Sequence, residues 1–228
     1  MLSAMFRALC TALAALLAQP ALAQRAPDAV VIGVSAPATS VDPHFFNASP
    51  NNQLSIHLFS RLVERDARVR PMPGLALSWR PVEETVWEFR LRPGVTWHDG
   101  RPFTADDVAF TLSRAGNVPG SPGGFGAMLR MIARVEVVDP LTIRVHTRRP
   151  HALLPIELAA IHVVSRHAGE GASTDDYNSG RAAIGTGPYR LRQHVANDRT
   201  ELERNPAFHG GAEPWQRVTG RFIANDTS

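Results

Sequence analysis

The fold of this chain is decided by one stretch, residues 85–108, which reads TVWEFRLRPGVTWHDGRPFTADDV. Apolar and charged residues alternate from Thr85 to Arg92, the period of a strand with one buried face. Pro-Gly and Asp-Gly are turn dipeptides, and they bracket a second extended run over residues 95–98. Thr104, followed three residues later by Asp107, has capping-box spacing and predicts the start of a helix. The stretch therefore predicts a strand, a short extended run and a covering helix.

Toward the amino terminus, the pattern predicts two further elements. Val30–Val34 is short, apolar and β-branched, which indicates a buried and central strand. Asn51–Glu64 carries apolar residues at helical spacing and predicts an amphipathic helix. A polar loop over residues 39–50 separates the two elements.

Toward the carboxyl terminus, strands predominate. Residues 134–147 predict a hairpin that turns at Asp139-Pro140, and residues 151–160 predict a short helix. Residues 116–126 and 169–182 are rich in polar and small residues and predict loops. Three more strands are expected, over Tyr189–Val195, Arg199–Arg204 and Arg217–Ala224.

Composition and charge describe a globular protein without a nucleic-acid footprint. The chain is 44% hydrophobic and 20% charged, and its formal net charge is +3. All 24 basic residues are arginines, and they are scattered among 21 acidic residues. A surface that binds phosphates clusters its positive charge, so we expect no nucleic-acid partner.

The first residues have the pattern of a cleavable secretion signal over residues 1–23. Arg7 provides the positive charge, an apolar run follows from Ala8, and Ala21-Leu22-Ala23 is a small-x-small cleavage site. We expect a mature protein that begins at Gln24. The single cysteine, Cys10, lies inside the signal, so neither a lipid anchor nor a disulfide is expected.

Three carboxylates are candidates for hydrolytic chemistry, namely Asp99, Asp106 and Asp107. Each also has a simpler structural interpretation: Asp99 belongs to a turn, and acids are favoured in the first turn of a helix. The histidines show no zinc-binding spacing, and a P-loop of the form Gly-x-x-x-x-Gly-Lys is excluded because the chain has no lysine. We therefore expect no metal, no cofactor and no enzymatic activity.

The segment His44–Gln53 is the candidate for ligand contact, because it follows the first strand and mixes aromatic and amide side chains. An alternative stays open, in which the aromatic residues anchor the core and the amides cap a helix. The candidate residues are Phe45, Phe46, Asn47, Asn51, Asn52 and Gln53.

In this order, several motifs resemble those of the extracellular solute-binding proteins of family 5, the peptide/nickel/oligopeptide class that serves ABC importers. They are Val41-Asp-Pro-His44, Leu75–Trp79, Thr85–Val108, Gly185-Thr-Gly-Pro-Tyr189 and Arg204-Asn-Pro206. The resemblance implies an α/β fold of the periplasmic binding protein type (type II). Residues 24–66 and 184–228 are expected to form a first lobe, with a β-rich subdomain over residues 67–183.

The resemblance also implies a function. It predicts a periplasmic monomer that captures a peptide or similar small solute for a membrane permease, and a chain that ends before the second lobe. Three alternatives remain: another ligand such as a nickel chelate, a secreted hydrolase that uses the three carboxylates, and a non-functional fragment.

Overall fold

A computed structural model describes residues 28–224, and within this range the chain forms ten strands and six helices. The predicted secretion signal lies outside the described residues. The strands are β1 (Ala29–Val34), β2 (Val63–Arg65), β3 (Pro71–Pro73), β4 (Ala76–Glu83), β5 (Val86–Leu91), β6 (Ile132–Asp139), β7 (Thr142–Thr147), β8 (Tyr189–Val195), β9 (Arg199–Arg204) and β10 (Arg217–Phe222). The helices are α1 (Ser49–Leu58), α2 (Ala105–Arg114), α3 (Gly126–Leu129), α4 (Leu154–Leu158), α5 (Arg166–Gly169) and α6 (Thr174–Asn178).

The first sheet has the order β1-β10-β9-β8. β1 pairs in parallel with β10, so that Ala29 lies opposite Arg217, and the other pairs are antiparallel. The two ends of the described chain therefore meet in one sheet. The three carboxyl-terminal strands form where the sequence predicted them.

β1 is a strand, as predicted, but its predicted burial and central position are wrong. It lies at the edge of the sheet, and Val31 and Ile32 are 68% and 47% exposed. An apolar, β-branched run favours the extended conformation locally, whereas burial requires neighbours on both sides, which only the tertiary structure supplies.

The predicted helix Asn51–Glu64 also needs correction, because α1 ends at Leu58 and Phe59 is extended. The N–H of Gly187 donates to the carbonyl oxygen of Leu58 at 3.0 Å, and this distant segment occupies the place of a further helical turn. The apolar spacing continues to Leu62, but Val63 already begins β2.

The second sheet has the order β4-β5-β7-β6 and carries the larger core. The strand β5 is confirmed, but its burial alternates only over Phe89, Arg90 and Leu91. Glu88, which belongs to the predicted polar face, is buried and forms ion pairs with Arg80 and Arg144. α2 packs on this sheet, and Trp97 is buried beneath it. The predicted hairpin is also confirmed, as β6 and β7.

α2 begins with the predicted capping box, and Asp107 of this box also bonds to residues outside the helix. Asp107 is buried, and its Oδ2 accepts hydrogen bonds from the backbone N–H of Thr104 at 2.9 Å and from Trp97 Nε1 at 3.3 Å. Its Oδ1 accepts from the backbone N–H of Arg166 at 2.8 Å. One carboxylate therefore ties the helix start to the aromatic core and to α5.

The predicted loop over residues 169–182 contains a short helix, α6. Ser173 and Asp176 form a second capping box at its start. The helix is too short to show an apolar period, so only the Ser-x-x-Asp spacing could have indicated it.

The segment Gly185-Thr-Gly187 lies between the end of α1 and His98. A β-carbon on Gly185 would collide with the carbonyl oxygen of Leu58, and one on Gly187 would lie 2.5 Å from the carbonyl carbon. On the other side, the backbone N–H of Gly185 donates to His98 Nδ1 at 3.1 Å, and His98 Nε2 donates to the oxygen of Gly187 at 3.2 Å. Glycine is required here because two elements approach the backbone closely.

Candidate functional site

A pocket of about 240 Å³ lies between α1 and the first sheet, next to the segment that leaves β1. Its floor and walls are mostly apolar. The lining residues are Ile32, Val34, Ala36, Ala38, Pro50, Gln53, Leu54, Ile56, His57, Thr200, Leu202, Val218 and Gly220. Largely apolar walls with a few polar groups are typical of sites for small molecules.

The pocket exists because one position in the sheet has no side chain. Ile32, Gly220 and Thr200 lie side by side on β1, β10 and β9. A β-carbon added to Gly220 would meet no atom within 4 Å. The glycine therefore leaves open the space that a larger residue would fill.

Two polar side chains on α1 border the pocket. Gln53 is exposed, and the ring of His57 is half-buried and packs edge-on against Tyr189. Burial lowers the pKa of His57, which keeps the ring neutral at pH 7. A neutral imidazole and an amide both donate and accept hydrogen bonds, so they suit a polar but uncharged part of a ligand.

The six residues predicted to contact a ligand lie in three places. Gln53 lines the pocket. The backbone N–H of Asn47 donates to Gly123 at 2.9 Å, and Phe46 packs against Gly123. Phe45 belongs to the same contact, because its carbonyl oxygen accepts from Ser121 Oγ at 2.6 Å.

The remaining two candidates are the neighbouring amides on α1. Asn51 is buried, and its side chain bonds to Thr39 Oγ1 at 3.1 Å and to the oxygen of Ser40 at 3.4 Å, so it positions the segment after β1. Asn52 Nδ2 donates to Asn47 Oδ1 at 2.9 Å. Its own Oδ1 is buried and has no hydrogen-bond partner.

Sequence reasoning missed most of the pocket. Val34, Ala36 and Ala38 carry no polar group, and Thr200 and Gly220 are far away along the chain. No local pattern relates these positions, since only the pairing of β10 with both β1 and β9 brings them together.

Beneath the segment that follows β1, a network of buried polar side chains is centred on Asp42. Arg114 donates to both carboxylate oxygens of Asp42 and also to His44 Nδ1 at 2.9 Å. His44 Nε2 donates to the oxygen of His162 at 2.8 Å. The guanidinium carbon of Arg114 lies 4.6 Å from the ring centre of Tyr177.

The network fixes charge states as well as geometry. Burial raises the pKa of Asp42, but the hydrogen bonds and charge of Arg114 outweigh it, and the pKa is lowered. Burial and then the charge of Arg114 lower the pKa of His44 to about 4. The network thus holds one ion pair beside a neutral histidine, and it supports the site without facing it.

The three carboxylates of the hydrolase alternative do not form a catalytic site at the surface. Asp99 Oδ2 accepts from His167 Nε2 at 2.7 Å, and Ser165 Oγ lies 2.7 Å from His167 Nδ1. The arrangement of Asp99, His167 and Ser165 resembles a catalytic triad. Ser165, however, is only 1% exposed, and its side chain caps the start of α5. Asp107 is buried in structural bonds, and Asp106 lies 3.9 Å from Arg166.

Neither a membrane span nor a metal-binding cluster occurs in the part of the chain that the structure describes. Across residues 28–224, none of the helices combines the length and the hydrophobicity that a membrane span requires. Within the same range, no three His, Cys, Asp or Glu side chains are grouped so that they could hold a metal ion.

The mixed α/β architecture is that of the periplasmic binding proteins. The family model of the bacterial extracellular solute-binding proteins, family 5 (middle), matches residues 70–228. The chain belongs to this family, whose members are solute-binding components of transport systems. The predicted family and fold class are confirmed.

Three similarities describe the relationship. The periplasmic oligopeptide-binding protein OppA of Haemophilus influenzae is 27% identical over 212 residues, which is 81% of this chain and 37% of that protein. Its crystal structure in complex with RPPGFSPFR has a TM-score of 0.74 at 25% identity and covers 87% of this chain and 42% of that one. The structure of MoaA of A. tumefaciens R10 with mannopinic acid has a TM-score of 0.78 at 26% identity, and the match covers 88% of this chain and 42% of that one. The chain therefore spans about two fifths of the length of these relatives.

Proposed function

We propose that this chain is the substrate-binding component, or part of it, of an ABC importer in the periplasm, which captures peptides or similar small solutes for a membrane permease. The pocket beside α1 is the single observation that carries the proposal. The oligopeptide-binding function in the name of the Haemophilus relative supports the same ligand class. Binding requires no bond to be made or broken, so no catalytic residue is assigned.

Gln53 and His57 are the proposed direct contacts, and Asn51 positions the segment opposite them. The volume is below the range of about 300–1,000 Å³ that is typical of whole ligand sites, so a peptide would extend beyond the pocket. We propose that Phe45, Phe46, Asn47 and Asn52 contact the part of the ligand that extends outward.

The domain division belongs to the same proposal. Residues 24–66 and 184–228 would form one lobe, and the sharing of the first sheet by β1 and β8–β10 supports this. Residues 67–183 would form the β-rich subdomain, and the second sheet, which uses only strands from that range, supports it.

A substitution that fills the pocket tests whether a solute binds there. Gly220→Leu places a side chain in the open space, and Thr219→Leu is the matched control, because neighbouring residues of a strand point to opposite faces. The original chain and the control should gain thermal stability when short peptides of varied sequence are added. Gly220→Leu should fold and show no such gain.

The alternatives give different results in the same assay. Stabilisation by a nickel–histidine complex and not by peptides would favour the non-peptide ligand. Cleavage of the peptides, followed by chromatography, would favour the hydrolase. A cooperatively folded chain that no solute stabilises would contradict the proposal.

A further inference from the structure

A second concave surface lies on the other sheet, away from the pocket beside α1. It is bordered by α2, α3 and β6 and has a volume of about 1050 Å³. We call it the arginine groove. Its floor includes Leu112, Gly116 and Leu129, and its three charged residues are Arg130, Arg134 and Arg148.

One wall of the arginine groove is the free edge of a sheet. β6 is the last strand in the order β4-β5-β7-β6, and it pairs only with β7. Residues 132–135 line the groove consecutively. Because alternate side chains of a strand point to opposite faces, four consecutive residues line a groove only if it follows the backbone edge.

The charge in the arginine groove is unbalanced. No acidic residue lines it. Arg134 pairs with Glu136 at 3.1 Å, whereas Arg148 Nε donates to the carbonyl oxygen of Arg130 at 3.2 Å. Among residues 28–224, no carboxylate forms an ion pair with Arg130 or Arg148.

The arginine groove combines a strand edge, an apolar floor and two arginines without a carboxylate partner. Together these features favour one kind of ligand. An exposed edge offers backbone N–H and C=O groups, which an extended peptide matches by adding a strand. Arginine forks recognise carboxylates. A lipid headgroup would use the positive charge but leave the backbone edge unpaired.

We propose that the arginine groove binds an extended, acidic segment of a partner protein. The segment pairs with the free edge of β6, places apolar side chains against Leu112 and Leu129, and places carboxylates at Arg130 and Arg148. This inference is independent of the pocket beside α1, which lies on the first sheet. It assigns an interaction role to the second sheet.

The first test measures charge recognition with the full chain. The probe is a fluorescein-labelled peptide of alternating aspartate and valine, and its control replaces aspartate by lysine. We expect the fluorescence anisotropy to rise with the acidic peptide only. The double variant Arg130→Gln/Arg148→Gln should weaken binding roughly tenfold, since two charge pairs are lost.

The control variant is Arg65→Gln/Arg68→Gln, which removes the same charge outside the groove and should bind like the original chain. Equal weakening by both double variants would overturn the proposal, because it would reduce the effect to net charge. Absence of binding by the acidic peptide would overturn it as well.

The second test locates the peptide. The backbone amides of residues 132–138 should exchange with deuterium more slowly when the acidic peptide is present, because strand addition pairs the free edge. Binding without this protection would overturn the strand-addition geometry. Sedimentation of the chain with anionic phospholipid vesicles, but no peptide binding, would identify a membrane contact instead and overturn the proposal.

Discussion

Arg114 holds Asp42 through two parallel hydrogen bonds, from Nη1 to Oδ1 at 2.9 Å and from Nη2 to Oδ2 at 2.6 Å. Asp42 is fully buried, and the side chain of Arg114 is 12% exposed. Arg114 belongs to α2, which packs on the second sheet, and Asp42 belongs to the segment that follows β1, so the pair joins these two elements. A bidentate pair also fixes orientation, which a single contact does not.

Removing one partner of this pair should destabilise the chain strongly. Asp42→Asn leaves the charge of Arg114 in a buried site, and we expect a loss of about 3–5 kcal/mol in the free energy of unfolding. Urea unfolding measures it. Glu136→Gln weakens the partly exposed contacts of Glu136 with Arg134 and His146 and should cost less than about 1 kcal/mol. Similar losses in both variants would show that the buried network is not a main support of the fold.

Gly187 should not tolerate a β-carbon. Gly187→Ala places a methyl group against the carbonyl of Leu58, and we expect a loss of roughly 1–3 kcal/mol from overpacking. Gly220→Ala is the matched control, because a β-carbon there meets no atom within 4 Å. Thermal unfolding compares the two variants, and equal midpoints would contradict the close approach of Gly187 to α1.

Acid should destabilise the folded chain before its carboxylates are protonated. Burial lowers the pKa of His44 and of His98 to about 4, against 6.5 for the free side chain. The unfolded state therefore binds more protons between these values, and stability falls as the pH falls from 6.5 toward 4. The expected loss is on the order of 3 kcal/mol for each histidine.

Urea unfolding at several pH values measures this dependence. Burial also lowers the pKa values of His162 and His209. His98→Gln removes one contributing group and should make the decline shallower, whatever its effect on stability at pH 7. A free energy of unfolding that stays constant from pH 6.5 to pH 4 would contradict the neutral, buried state of these rings.

Asp106 and Asp107 are adjacent in sequence but should behave differently. Asp107→Ala removes the acceptor of three N–H groups, from Thr104, Trp97 and Arg166, and should cost at least about 2 kcal/mol. Asp106→Ala removes a side chain that is 60% exposed and should change stability by no more than about 0.5 kcal/mol. Differential scanning calorimetry measures the stability of both variants. A larger loss for Asp106→Ala than for Asp107→Ala would contradict the role of Asp107 in the helix cap.

The sequence predicted the second sheet well because its signals are local. The strand β5, the two glycine turns and the capping box depend on residues close together in the chain, and each forms as expected. Predictions failed where a distant segment intervened. α1 ends at Leu58 because the N–H of Gly187 donates a hydrogen bond to the carbonyl oxygen of Leu58. No residue between Asn51 and Glu64 predicts that contact.

The sequence by itself determined the family, the strand and helix pattern of the β-rich region and the turn chemistry around it, since these follow from short-range periodicity and from consecutive motifs. Only the tertiary structure decided where a ligand could bind. The pocket is assembled from β1, α1, β9 and β10, whose pairing joins Ile32 to Gly220 and Thr200. The absence of a side chain at Gly220 is visible in the sequence, but the space it leaves is created by packing between elements that are far apart in the chain.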